Sequence, residues 1–148
     1  MLIRRMTLED IPEVVEIEKQ CFSLPWSAKS FEDSISRDDT IFLVCEEREK
    51  DDVVVTGYMG LYISFDEANV TNVAVSPSFR KKGCGEALVA VAKVEAKEAG
   101  AESIFLEVRV SNEPAISLYK KQGFEELGIR KKFYEHPVED AIIMKVGI

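Results

Sequence analysis

The sequence predicts one α/β domain whose strands and helices follow the order βααβββαβαββ. Three observations predict it. Apolar residues switch along the chain between a period of two and a period near 3.6. The second half carries two consecutive strand–loop–helix units, one opened by a glycine loop and one by an asparagine. The 148 residues show no repeat, low-complexity segment or linker, a length that suits one domain with a sizeable core.

Leu2 to Arg5 reads as a short first strand. Thr7-Leu8-Glu9-Asp10 resembles a capping box with Asp in place of Glu or Gln. Ile11, Val14, Val15, Cys21 and Phe22 then follow helical spacing. Glu18 falls on this apolar face, either at the edge of the stripe or toward a substrate cleft. Leu24-Pro25-Trp26-Ser27 breaks the helix, and Ser27 caps a second one running to about Ile35. Trp26 in that break is either a groove wall or a core plug. Ile41 to Cys45 and Val53 to Ile63 are strand-rich, and the charged run Glu46 to Asp52 reads as a solvated hairpin loop. Ala68 to Val75 is a further strand, followed by a loop from Ser76 to Lys82. Gly83 to Ala99 reads as a helix with Ala87, Leu88, Val91 and Val94 inward, stopped by Gly100. Ile104 to Val110 is a strand, and Asn112 to Gln122 a helix with Pro114 in its first turn and Gly123 after its end. Phe124 to Tyr134 and Ala141 to Val146 close the chain as strands.

The net charge of -8 argues against nucleic acid as a partner, and suits either solubility alone or a cationic substrate. Cys21, Cys45 and Cys84 are too far apart and too few for a disulfide framework or a zinc site. The single histidine, His136, reads as a surface residue, so no metal is expected and no Ser-His-Asp triad is supported. The N-terminal residues lack a secretory apolar region, and no apolar run nears the ~20 residues of a membrane span. The expectation is a cytoplasmic protein with no membrane partner, a monomer or weak dimer.

The loop Arg80-Lys81-Lys82-Gly83-Cys84-Gly85 joins a strand to a helix. A helix N-terminus presents unpaired N–H groups and the positive end of the macrodipole. Gly83 and Gly85 permit close backbone approach, and Arg80, Lys81 and Lys82 add positive charge to an acidic protein. Together these suit a pyrophosphate; the competing reading is a tight strand-to-helix turn. The P-loop pattern is absent, and Leu88 stands where the third glycine of a dinucleotide fingerprint belongs.

Glu107 interrupts an apolar strand, sharing a face with Phe105 and Arg109 while Ile104, Leu106 and Val108 share the other. It is either paired with Arg109 on an exposed face or useful to chemistry. Tyr119 follows in the next helix, on one face with Ile116, where it is either a packing residue or a phenol near the same crevice. If the two strands are adjacent and parallel, the crevice opens at their C-terminal ends, where a carboxylate, a phenol and a phosphate loop then meet.

These residues resemble the GNAT superfamily of N-acetyltransferases, whose cofactor motif Arg/Gln-x-x-Gly-x-Gly/Ala is matched at Arg80 to Gly85. Leu24 to Ser27, Asp66 to Ala68, Asn72 to Val75, Leu106 to Arg109, Ser111-Asn112, Leu118-Tyr119, Gly123-Phe124 and Glu139 to Met144 are similar to the bacterial RimI-type ribosomal-protein-alanine branch. The resemblance implies a central mixed, mostly antiparallel twisted sheet of about seven strands, flanked by four helices and split between strands four and five. It implies acetyl-CoA as co-substrate, held by the backbone of Val73, Ala74 and Val75 and by Arg80, Lys81, Lys82, Gly83, Cys84, Gly85 and Glu86, with Asn112 in contact. Glu107 matches the family's proton acceptor and Tyr119 its proton donor. The implied acceptor is the N-terminal alanine of a small-subunit ribosomal protein. Cys84, at a position often Leu or Ile, is the one departure noted.

For such a reaction Glu107 takes the amine proton, directly or through water, a Val75 N–H stabilises the oxyanion, and Tyr119 protonates the departing thiolate. A peptide acceptor predicts an open groove lined by Trp26 and the Phe133-Tyr134 region, whereas a small amine predicts a closed pocket. The alternatives are acetylation of lysine or a small-molecule amine, and a non-catalytic CoA-binding module.

Overall fold

The computed structural model describes residues 1–148. Seven strands form one sheet: β1 (Leu2–Arg5), β2 (Thr40–Glu49), β3 (Asp52–Ser64), β4 (Glu67–Val75), β5 (Ser103–Arg109), β6 (Glu125–Tyr134) and β7 (Glu139–Gly147). Their spatial order is β1-β2-β3-β4-β5-β7-β6. Every pairing is antiparallel except that of β4 with β5. Four α-helices flank the sheet: α1 (Ile11–Cys21), α2 (Ala28–Ile35), α3 (Cys84–Glu98) and α4 (Glu113–Lys121). The element order is the one expected.

The sheet is covered on both faces. Ile11, Val14 and Ile17 of α1 and Phe31 of α2 pack against Phe42, Val44 and Tyr58. On the other face, Leu88, Val89, Ala92 and Ala96 of α3 meet Leu43, Cys45, Met59 and Leu106, and Tyr119 of α4 joins them. Each fully buried Leu or Phe contributes about 1.5–3 kcal/mol by leaving water.

Local signals set most boundaries. Asp10 accepts from the Thr7 N–H at 2.8 Å, closing the expected cap over a 3-10 turn (Leu8–Asp10) that leads into α1. Ser27 Oγ caps α2 through the Ser30 N–H, and Asn112 Oδ1 caps α4 through the Ala115 N–H. Gly100 and Gly123 lie at positive φ, where each stops a helix.

Three expectations need correction. The charged run Glu46 to Asp52 is not a loop: the β2–β3 ladder continues through Glu49↔Asp52, and only Lys50 and Asp51 turn. Charged side chains are tolerated there because the end of this hairpin is solvated. Phe22 does not face the core but lies exposed beyond α1. In α3 the inward stripe is Cys84, Leu88, Ala92 and Ala96, whereas Val94 is 57% exposed. Small residues form this stripe because α3 lies close to the sheet: a Cβ on Gly57 of β3 would stand 2.7 Å from Cys84 Sγ.

One irregularity positions the site. β3 and β4 change register between Gly60 and Leu61, where Gly60 pairs with Asn72 but Leu61 with Val70, leaving Thr71 as an extra residue in β4. Below the bulge β4 pairs with β5 at Glu67↔Ser103, Ala68↔Ile104 and Asn69↔Phe105. Above it the two strands part, giving the expected split between strands four and five.

Candidate active site

The backbone of β4 decides what the split offers. Ser76 N–H bonds to the Thr56 carbonyl on β3. Alternate residues of an antiparallel ladder face the partner strand, so Ala74 bonds to β3 while Val73 and Val75 turn their N–H and C=O groups toward the split. The Val75 carbonyl accepts from Arg80 Nε at 3.2 Å and from Cys21 Sγ at 3.7 Å. The Arg80 guanidinium thus braces the end of β4 and also reaches Cys21, with Nη2 at 3.3 Å from the sulfur.

The loop beyond β4 delivers an uncapped helix. Gly83, at φ +88°, is the N-cap of α3 and no side chain caps it. The first intrahelical bond joins Ala87 N–H to the Gly83 carbonyl, so the amides of Cys84, Gly85 and Glu86 face outward unpaired by the helix. Gly83 would meet nothing closer than 3.8 Å with a Cβ, whereas Gly85 would meet Leu118 of α4 at 2.9 Å. The turn reading holds for this loop, and the same geometry leaves the first-turn amides free. Gly83 serves the left-handed turn, Gly85 lets α3 and α4 approach, and the exposed first-turn amides suit a diphosphate. Lys82 Nζ lies 5.2 Å over the Phe79 ring at the loop's edge. Cys84 is buried, and burial together with neighbouring Cys45 pushes its thiol up to about 12, so it is held protonated.

Glu107 and Tyr119 stand on elements that bound the split. Glu107 is on β5 opposite Ile143 of β7, with its side chain 30% exposed. It does not pair with Arg109; its nearest cation is Arg130 of β6, at 3.6 Å. Arg109 instead donates to the Pro137 and Glu135 carbonyls and to Glu139, and its guanidinium carbon lies 4.3 Å over the Tyr134 ring. Glu139 also accepts from the Ser111 N–H at 2.7 Å, a bond that, with Arg109, holds its pKa below the usual range. These contacts fasten the β6–β7 hairpin to the end of β5.

Tyr134 is thereby fixed in electrostatic reach of both groups. Burial, then the Glu107 charge, push the Tyr134 phenol up to about 12. Burial, with a smaller contribution from Tyr134, raises the phenol of Tyr119 above its ordinary value. Tyr119 packs on Phe124, with ring centroids 5.5 Å apart. Asn112 spends its side-chain oxygen on the α4 cap.

Trp26 fits both readings offered for it. One side packs on Phe31 and Phe42, with ring centroids 5.2 and 6.3 Å away. It also lines a groove of about 270 Å³ with Phe42, Tyr62 and Thr71. Tyr134 and Phe133 do not line that groove. Glu18 is neither at the edge of its stripe nor open to a cleft: it is 2% exposed and accepts from the Tyr58 hydroxyl at 2.8 Å through both oxygens. Burial raises its pKa, against the opposing effect of Tyr58. The Arg109 clamp and the Glu18–Tyr58 pair were missed in the sequence, because their partners are 26 to 40 residues away. His136 is exposed in the β6–β7 turn. No helix is long and apolar enough to cross a membrane.

A parted parallel strand pair, an uncapped helix behind a basic glycine loop, and a carboxylate and a phenol on the two elements that follow make up the candidate site. Residues 11–124 match the acetyltransferase (GNAT) family, and the chain belongs to it: it is an acetyl-CoA-dependent N-acetyltransferase. Its relatives are specific. It is 43% identical over 147 residues to a Bacillus subtilis protein provisionally designated ribosomal protein bS18-alanine N-acetyltransferase, covering 99% of this chain and 95% of that one. It is 32% identical over 148 residues to the ribosomal protein bS18-alanine N-acetyltransferase of Escherichia coli, covering 99% and 97%. A crystal structure of the Escherichia coli ribosomal-protein-S18-alanine N-acetyltransferase aligns with a TM-score of 0.87, over 99% of this chain and 93% of that one. The resemblance to RimI-type enzymes and the fold it implied both hold.

Proposed function

We propose that this chain acetylates the α-amine of a ribosomal protein's N-terminal alanine, with acetyl-CoA lying in the β4–β5 split. The acceptor is inferred from similarity over nearly the whole chain to relatives designated for that substrate. The observation that carries the cofactor placement is the parting of β4 from β5 beyond Asn69↔Phe105, directly beneath the uncapped start of α3.

In this reading the outward backbone of Val73 holds the pantetheine arm, the Val75 N–H is left for the acetyl oxygen, and Ala74 keeps the strand close to β3. The loop from Arg80 to Glu86 receives the pyrophosphate on its backbone amides, with Lys81 and Lys82 supplying charge, and Asn112 contacts the cofactor from the α4 side. The bound acetyl-CoA supplies an activated thioester carbon. Glu107 accepts the proton of the attacking amine, directly or through a water. An α-amine, with a pKa of about 7.7–8.0, is partly neutral near pH 7, whereas a lysine, at about 10.4, is not. The Val75 N–H donates to the developing oxyanion. Tyr119, kept protonated by its burial, delivers a proton to the departing sulfur. Trp26 and Tyr134 flank the acceptor from the α1–α2 and β6–β7 sides.

N-terminal proteomics of cells with and without the gene tests the acceptor. The expected outcome is loss of acetyl from one ribosomal-protein N-terminal alanine in the deletion. Unchanged ribosomal N-termini would overturn the acceptor and leave the acetyltransferase assignment standing.

A further inference from the structure

Glu18 is a buried carboxylate that the proposed chemistry does not use. It lies in the last turns of α1, where its backbone carbonyl also accepts the Phe22 N–H that ends the helix. Its side chain is tied to β3 and, through an aromatic stack, to the α1–α2 connection. Both oxygens accept from Tyr58 of β3, a side chain with no exposure. The Tyr58 ring packs edge-on against Phe31 of α2, with centroids 5.7 Å apart, and Phe31 in turn packs on Trp26 of the α1–α2 connection at 5.2 Å. Trp26 and Asn72 of β4 also lie close enough to the carboxylate to lower its pKa against the effect of burial. Asn72 is 9% exposed and follows the bulged residue Thr71, whose hydroxyl donates to Asn72 Oδ1 at 2.9 Å. Its Nδ2 is the single buried side-chain nitrogen or oxygen without a hydrogen-bond partner.

Stability does not explain this arrangement. A buried carboxylate carries a desolvation cost that a well-packed neutral group avoids. What the cluster does is geometric. It joins the wall that bears Trp26 to the stretch of β4 that turns Val73 and Val75 toward the split. Thr71, bonded to Asn72, lines the Trp26 groove itself.

We propose that Glu18 is a positioning residue for the acceptor: through Tyr58 and the Phe31–Trp26 stack it sets the acceptor wall against the cofactor strand, and so governs acceptor affinity more than the chemical step. This rests on the reading that the acceptor passes beside Trp26. Trp26 is the only tryptophan in the chain, so its fluorescence reports the wall without any substrate.

The test uses the full chain and the variants Glu18→Gln and Tyr58→Phe. Trp26 emission and acrylamide quenching are measured without ligands, and steady-state kinetics with acetyl-CoA and a peptide beginning with alanine. Glu18→Gln is expected to make Trp26 more quenchable and to raise the acceptor KM about tenfold, with kcat and the acetyl-CoA KM within about twofold. Tyr58→Phe should move both readouts the same way by less. A folded variant with unchanged quenching and unchanged acceptor KM overturns the proposal, as does a loss confined to kcat. If Glu18→Gln does not fold, Tyr58→Phe decides on the same criteria. If the wild-type chain acetylates no peptide, the acceptor reading fails, and the quenching comparison still decides the role of Glu18.

Discussion

Glu107 and Arg109 share a face of β5, yet they have separate partners. Arg109 is absorbed by the β6–β7 hairpin, while Glu107 keeps a partly exposed carboxylate with one loose ion pair to Arg130. Pairs this open contribute little to stability, a median of ~0–1 kcal/mol. Removing the Glu107 charge should therefore cost activity rather than stability. Glu107→Gln is expected to lower kcat by about 10²–10⁴-fold with the melting temperature nearly unchanged, and Tyr119→Phe to lower kcat within the same range. Turnover by purified variants checks this, and intact rates in both would contradict the assigned roles. The sequence alone left Glu107 open between a surface pair with Arg109 and chemistry. The deciding fact, that Arg109 is occupied by Glu135, Pro137 and Glu139, needs contacts spanning 26 to 30 residues. Glu18 was misjudged for the same reason, since its partner Tyr58 is 40 residues on.

At the scale of elements, the loop from Arg80 to Gly85 was legible because its logic is local: charge, glycine, then a helix start. The phase of α3 was not. Its valines suggested a stripe through Val91 and Val94, but the helix packs on Cys84, Leu88, Ala92 and Ala96. Close packing against Gly57 selects small side chains, and hydrophobic periodicity does not report closeness. Gly85 belongs to the same geometry. Alanine there gains about 1 kcal/mol of helix propensity but meets Leu118, and overpacking costs about 1–3 kcal/mol. Gly85→Ala is expected to destabilise the wild-type chain, and to stabilise a Leu118→Ala chain relative to that single variant. Denaturant unfolding of the four proteins measures the coupling. Additive effects would show that Leu118 does not limit position 85.

For the whole molecule, the order of elements and the twofold use of strand–loop–helix were readable from the chain. The pairing of β7 between β5 and β6, and the bulge at Thr71, were not, since register depends on partners chosen across the sheet. That bulge precedes the parting of β4 from β5, and the proposed site sets the α3 amides, the Val75 N–H, Glu107 and Tyr119 around that parting. The central claim is that this opening transfers an acetyl group to a peptide α-amine. The most direct measurement is mass spectrometry on two peptides incubated with the chain and acetyl-CoA. Both carry an internal lysine and begin with alanine, one with a free and one with a blocked N-terminus. The account predicts one added acetyl on the free peptide, at its α-amine, and none on the blocked one; acetyl on lysine in both, with the α-amine untouched, would contradict it.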